Sequence, residues 1–282
     1  MLNFSVRVAD RLPVINPQCY QSTLLRGITK YGSVSILPQG RRSSVGCQMQ
    51  KAWNSKVYNL YIENEVGIIH PATEDYADEA VEAVKAGKVI AVPTDTLYGL
   101  ACDACSLDAV NKVYEIKGRA QSKPIAICVG DVSDIKRFAV TDHLPDGVLE
   151  SLLPGPVTVV LARGDMSILE KSLNSGVDSI GVRVPDCKFI RAIARGSGSA
   201  LALTSANLSG EPSSVCTNDF KKIWHQCAYI YDGGLLPVGR AGSTIIDLSH
   251  PGAYKIVRSG SAREETVAIV ESYSLIEENE VA

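Results

Sequence analysis

From Thr73 onward the chain alternates between two hydrophobic rhythms. Tyr76, Ala80, Ala83 and Val84 recur at the three- and four-residue spacing of one helix face. Gly87 closes that run, and Glu74, Asp75, Asp78 and Glu79 gather toward its start, where the helix dipole favours negative charge. The next five residues, Lys88 to Val92, are nearly continuous in apolar side chains and predict a short buried strand. Ser106 stands where an N-cap is needed, and Leu107, Val110 and Tyr114 then share a face of a second helix. Further strands are predicted in IAICV, VTVVLA, SIGVRV, ALALT, AYIYD, STIIDL and YKIVR, with helical stretches at 133–138, 189–194 and 218–224. This alternation predicts an α/β or α+β domain on a mixed sheet. No internal repeat is present, and no linker after residue 73 demands a second domain.

The first sixty residues keep neither rhythm. Through Ile62 the only acidic residue is Asp10, against Arg7, Arg11, Arg26, Lys30, Arg41, Arg42, Lys51 and Lys56, with serines throughout. That composition predicts a transit-peptide-like extension over residues 1–60, addressed to a mitochondrion or chloroplast. Met49 offers an internal start for a cytoplasmic form. The expected division is therefore this extension, a catalytic domain over 61–275 and a tail over 276–282.

Composition narrows the function classes. A net charge of -3 over 282 residues argues against a protein whose whole surface grips nucleic acid, and leaves room for a local basic site. No apolar run approaches the ~20 residues of a membrane helix, so no membrane partner is expected. Eight cysteines form no regular framework, and the single C-x-x-C, Cys102 and Cys105, lacks the second pair that structural zinc needs. The four histidines sit in no triad or metal spacing, and no G-x-S-x-G appears. An enzyme built from this chain works by positioning and charge stabilisation.

The polar residues that stand out lie at predicted strand ends, where α/β sheets carry their sites. One strand runs into Pro93-Thr94-Asp95-Thr96, another into Ser205-Ala206-Asn207, and a third opens with Ser243-Thr244. Between the second helix and the next strand, Lys117, Arg119 and Lys123 crowd into seven residues. Such crowding costs energy unless an anion neutralises it, and a polyphosphate suits an Arg fork beside Lys point charges. Neither a Walker loop nor a G-x-G-x-x-G is present to hold phosphates in another way.

The runs PTDTLYGL, KGR…KP, LLPGPVTVVL, GVRVP, TSANLSG and AGSTIIDL, in this order over about residues 72–261, resemble the YrdC family of threonylcarbamoyl-AMP synthases. The resemblance implies a single-domain α/β fold, a twisted open mixed sheet with flanking helices and a concave electropositive cavity. It implies synthesis of L-threonylcarbamoyladenylate from L-threonine, bicarbonate and ATP with release of pyrophosphate. The product would pass to a tRNA threonylcarbamoyltransferase for modification beside the anticodon. By resemblance Lys117, Arg119 and Lys123 are the catalytic cations, and Thr96 and Arg183 bind threonine. Arg119, Lys123, Thr158, Ser205, Asn207, Ser243 and Arg258 face the nucleotide, and Mg²⁺ accompanies ATP without an assigned protein ligand. Cys128 departs from the pattern, because some family members place a His there. Two other readings compete. One is an RNA-binding module with a basic concave face, whose affinity would fall with salt and ignore threonine. The other is carbamoyl-adenylate chemistry of the hydrogenase-maturation type, whose zinc-finger pairs this chain lacks.

Overall fold

The computed structural model describes residues 69–118, 124–164, 167–236 and 241–278. The transit-peptide expectation and the internal start at Met49 lie outside the described residues.

The described residues fold around an eleven-stranded mixed sheet. Its strands in chain order are β1 (Ile69–Pro71), β2 (Ile90–Val92), β3 (Gly99–Asp103), β4 (Ala126–Cys128), β5 (Val157–Ala162), β6 (Ser179–Arg183), β7 (Leu201–Ser205), β8 (Tyr229–Asp232), β9 (Thr244–Asp247), β10 (Ala253–Arg258) and β11 (Ile276–Glu277). The α-helices among these residues are α1 (Ala77–Lys85), α2 (Leu107–Lys117), α3 (Val148–Leu152), α4 (Lys188–Ser197) and α5 (Arg263–Ser272). Across the sheet the order is β1-β8-β2-β3-β7-β4-β6-β5-β9-β10-β11. Parallel pairs such as β4 with β6 and β5 with β9 alternate with antiparallel ones such as β3 with β7 and β5 with β6.

Strand side chains alternate between faces, and this alternation decides where the molecule is open. One face carries Leu100, Cys102, Ile127, Val159, Val182 and Ile246, packed in a single core with residues of α2, α3 and α5. The other face carries Ile90, Val92, Ala101, Cys128, Leu201 and Leu203, covered by Ala80, Val81 and Val84 of α1 and Phe189, Ile190 and Ile193 of α4. Farther along this second face the strands present Ala126, Thr158 and Ile245 to a cavity instead of to a helix. A Cβ on Gly181 would approach Thr158 Cγ2 to 2.9 Å, so the glycine lets Thr158 pack close beside it.

Helix α2 starts and stops where the sequence places its signals. Ser106 Oγ accepts a hydrogen bond from Ala109 N at 3.4 Å, and Gly118 ends the helix at φ 61°. Leu107, expected on its buried face, is 49% exposed. It occupies the first helical position, and the buried stripe runs through Ala109, Val110, Val113, Tyr114 and Ile116. The stretch expected at 218–224 is a 3₁₀ segment, Thr217–Gln226, with a non-helical residue at Phe220. Ile276 and Glu277, expected to begin a tail, add strand β11 beside β10. Strand β3 and helices α3 and α5 were not anticipated. None of the helices among the described residues is long and apolar enough to cross a membrane.

Candidate active site

The bare part of the second face floors a cavity of about 520 Å³. Thr96, Arg183 and Lys117 line it, as do Thr158, Ser205, Asn207, Ser243 and Arg258. The structure therefore brings together eight of the residues singled out from sequence, carried by elements from the turn after β2 to the end of β10. The other two, Arg119 and Lys123, lie outside the described residues. Lys117, Arg183 and Arg258 are the cations among the described lining residues, and Glu211 is the carboxylate there, ion-paired to Lys222 at 2.6 Å. The lining is thus net positive, which favours anionic ligands.

One end is built by the turn after β2. Thr94 Oγ1 donates to Leu97 O at 2.7 Å and accepts from the backbone N of Thr96 and Leu97, each at 3.1 Å. Thr94 Oγ1 also lies 3.1 Å from Thr96 Oγ1. Arg183, the last residue of β6, donates from Nη2 to Asp95 Oδ1 at 2.6 Å and to Thr96 Oγ1 at 3.2 Å. Its Nε is buried and has no hydrogen-bond partner. Leaving a buried donor unmade is costly, and a guanidinium in a cavity wall is suited to a carboxylate.

A second group lies on β5, β9 and β10. Thr158 Oγ1 and Ser243 Oγ are 2.7 Å apart, and Arg258 Nη2 donates to Ser243 O at 2.8 Å and toward Ser243 Oγ at 3.3 Å. Burial, and then the like charge of Arg183, lower the Arg258 pKa from its ordinary value. Two guanidinium groups near enough to repel one another mark a place for negative charge.

Lys117 differs from the loop-anchored cation expected of it. It closes α2, is 3% exposed, and its ammonium is ringed by protein oxygens. Nζ lies 2.7 Å from Ser205 O, 2.7 Å from Asn207 O, 2.8 Å from Asn207 Oδ1 and 3.3 Å from Ser205 Oγ. Lys117 is the last residue of the helix, before Gly118, and its two expected neighbours Arg119 and Lys123 lie outside the described residues. Lys117 instead fixes the Ser-x-Asn loop, where Ser205 Oγ also donates to Asn207 Oδ1 at 2.6 Å and Asn207 Nδ2 to Glu211 O at 2.6 Å.

Cys128 lies on β4 opposite Arg183 in the register and is fully buried against α4. Burial pushes its thiol up to about 12, with Arg183 pulling it partway back. Its side chain does not line the cavity. The residue that sequence reasoning left without a role is Asp95. Its place inside Pro-Thr-Asp-Thr was the available signal, but its partner is 88 positions away. Among the described residues no group of three or more His, Cys, Asp or Glu gathers to hold a metal.

An open α/β sheet with one half-bare face and a cation-lined cavity is the frame of an enzyme for small anionic substrates. The Sua5_yciO_yrdC family, described as "Telomere recombination", matches residues 82–260. A threonylcarbamoyl-AMP synthase of Bos taurus is 46% identical over 204 residues, covering 70% of this chain and 72% of that protein. The Homo sapiens threonylcarbamoyl-AMP synthase is 45% identical over 203 residues, with 70% and 72% covered. The P. abyssi Sua5 structure complexed with L-threonine aligns with a TM-score of 0.65 at 26% identity, over 75% of this chain and 61% of that one. This chain belongs to the Sua5/YciO/YrdC family.

Proposed function

We propose that this chain is an L-threonylcarbamoyladenylate synthase. The observation that carries the reading is Arg183 held beside Thr96 in the wall of a net-positive cavity. The names of the mammalian relatives and the threonine bound in P. abyssi Sua5 support it.

Arg183 receives the threonine carboxylate, and Thr96 Oγ1 offers a lone pair to the threonine ammonium. Once that ammonium loses a proton, the nitrogen combines with bicarbonate, losing water, to give an N-carboxylate. A carboxylate oxygen then attacks the α-phosphorus of ATP, the bond to the β-phosphate oxygen breaks, and pyrophosphate leaves. Thr158, Ser205, Asn207, Ser243 and Arg258 face the nucleotide, and Arg119 and Lys123 complete its phosphate contacts. These cations relieve charge as it builds on the leaving pyrophosphate, and no covalent protein intermediate is needed. Mg²⁺ travels with ATP as part of that substrate. The mixed anhydride is consumed by a threonylcarbamoyl transfer to tRNA beside the anticodon.

Purified protein with ATP, Mg²⁺ and bicarbonate is expected to release pyrophosphate only when L-threonine is added, and only when bicarbonate is present. Threonine-independent release, or none from folded protein, overturns the reading. RNA binding that weakens steeply with salt would then favour the binding-module alternative.

A further inference from the structure

We infer that Asp95 is a positioning and selectivity residue, holding and neutralising Arg183 so that this cation takes a monoanionic carboxylate and not a phosphate. The inference rests on the synthase reading. Asp95 is absent from the cavity lining, and its side chain is 8% exposed, so it acts through its partners. One carboxylate oxygen accepts from Arg183 Nη2 at 2.6 Å and the other from Asp186 N at 2.9 Å. The first contact sits at the end of β6 and the second in the connection to α4. Asp95 itself lies in the turn after β2, which the sheet order separates from β6 by β3, β7 and β4. Its carboxylate therefore ties the turn after β2 to the end of β6 and the connection that follows, and fixes the guanidinium there.

That geometry has two consequences. An arginine side chain loses considerable rotamer freedom when a ligand orders it, and a guanidinium already held by Asp95 and Thr96 has lost that freedom beforehand. The second is electrostatic. The Asp95–Arg183 pair carries no net charge, so it attracts a multiply charged phosphate less than Arg258 does, whose Nη2 engages only the uncharged carbonyl and hydroxyl of Ser243. Arg183 still lines the cavity, where a guanidinium can give a directed hydrogen bond to threonine's carboxylate. Sorting two anionic substrates between neighbouring cations thus depends on which cation is already neutralised.

The test is Asp95→Asn, which keeps an acceptor for Nη2 and removes the charge. Threonine KM is expected to rise at least tenfold, with kcat at saturating threonine and the KM for ATP each within about threefold. Pyrophosphate, added as an inhibitor, is expected to become competitive with threonine in the variant and to remain non-competitive in the wild type. Threonine binding by calorimetry without ATP should weaken in parallel with KM. An unchanged threonine KM and inhibition pattern overturns the inference. So does a parallel rise in both KM values with a large fall in Tm, which marks a purely structural role. Wild-type protein that neither binds nor requires threonine overturns the synthase reading itself, whatever the variant does.

Discussion

Lys117 and Arg183 are both cations buried in the wall of one cavity, 3% and 8% exposed, and the fold treats them in opposite ways. The ammonium of Lys117 is surrounded by four protein oxygens on the Ser205–Asn207 segment. The guanidinium of Arg183 is gripped at Nη2, and its buried Nε has no partner. Burial alone does not separate the two cations; the groups that engage them do. Lys117 braces the Ser-x-Asn loop, and Arg183 is tied to Asp95 and Thr96 in the turn after β2.

The largest effect that would break the comparison belongs to Lys117. Lys117→Met leaves the carbonyls of Ser205 and Asn207 without their donor, and a stability loss of roughly 3 kcal/mol or more is expected, with turnover lost at every substrate concentration. Urea unfolding measures it. Wild-type stability with lost turnover would make Lys117 a ligand contact after all. Arg183→Lys keeps the charge and the reach to Asp95 but loses the fork. Its stability should stay within about 1 kcal/mol of wild type while threonine KM rises about 100-fold and the KM for ATP barely moves. A destabilisation as large as that of Lys117→Met would erase the distinction. The smallest effect belongs to Cys128, buried behind Arg183 and away from the cavity. Cys128→Ala should cost about 1 kcal/mol by thermal or urea unfolding and leave both KM values unchanged. A shifted threonine KM would show that this position senses the substrate.

Much of the sheet was legible because strand side chains alternate. In Val157-Thr158-Val159 the valines enter the core and the threonine between them faces the cavity, so one strand encodes both faces. Strand β3 was hidden by its small residues: Gly99, Leu100, Ala101 and Cys102 are buried, and the hydroxyl-rich turn before them draws the eye to a loop. Helix α5 buries only Thr266 and Val270, too narrow a stripe to betray a helix. The ordered motifs gave the residues that line the cavity, but their partners depend on contacts that spacing does not reveal. Lys117 reads as one of three neighbouring cations, and its bonds to Ser205 and Asn207, 88 and 90 positions away, are not visible in that spacing. Asp95 reads as a turn residue until β2 and β6 are placed in one sheet.

The cavity draws on residues from Thr94 to Arg258, and its floor joins strands that meet only through long-range pairing, β4 with β6 and β5 with β9 among them. A partly folded chain that has not yet docked these strands holds only part of the cavity, with no complete site for threonine or ATP. Substrates accordingly recognise the finished fold and no earlier form. They hold the protein in its native state by slowing escape from it, while the search for that state proceeds at the chain's own pace.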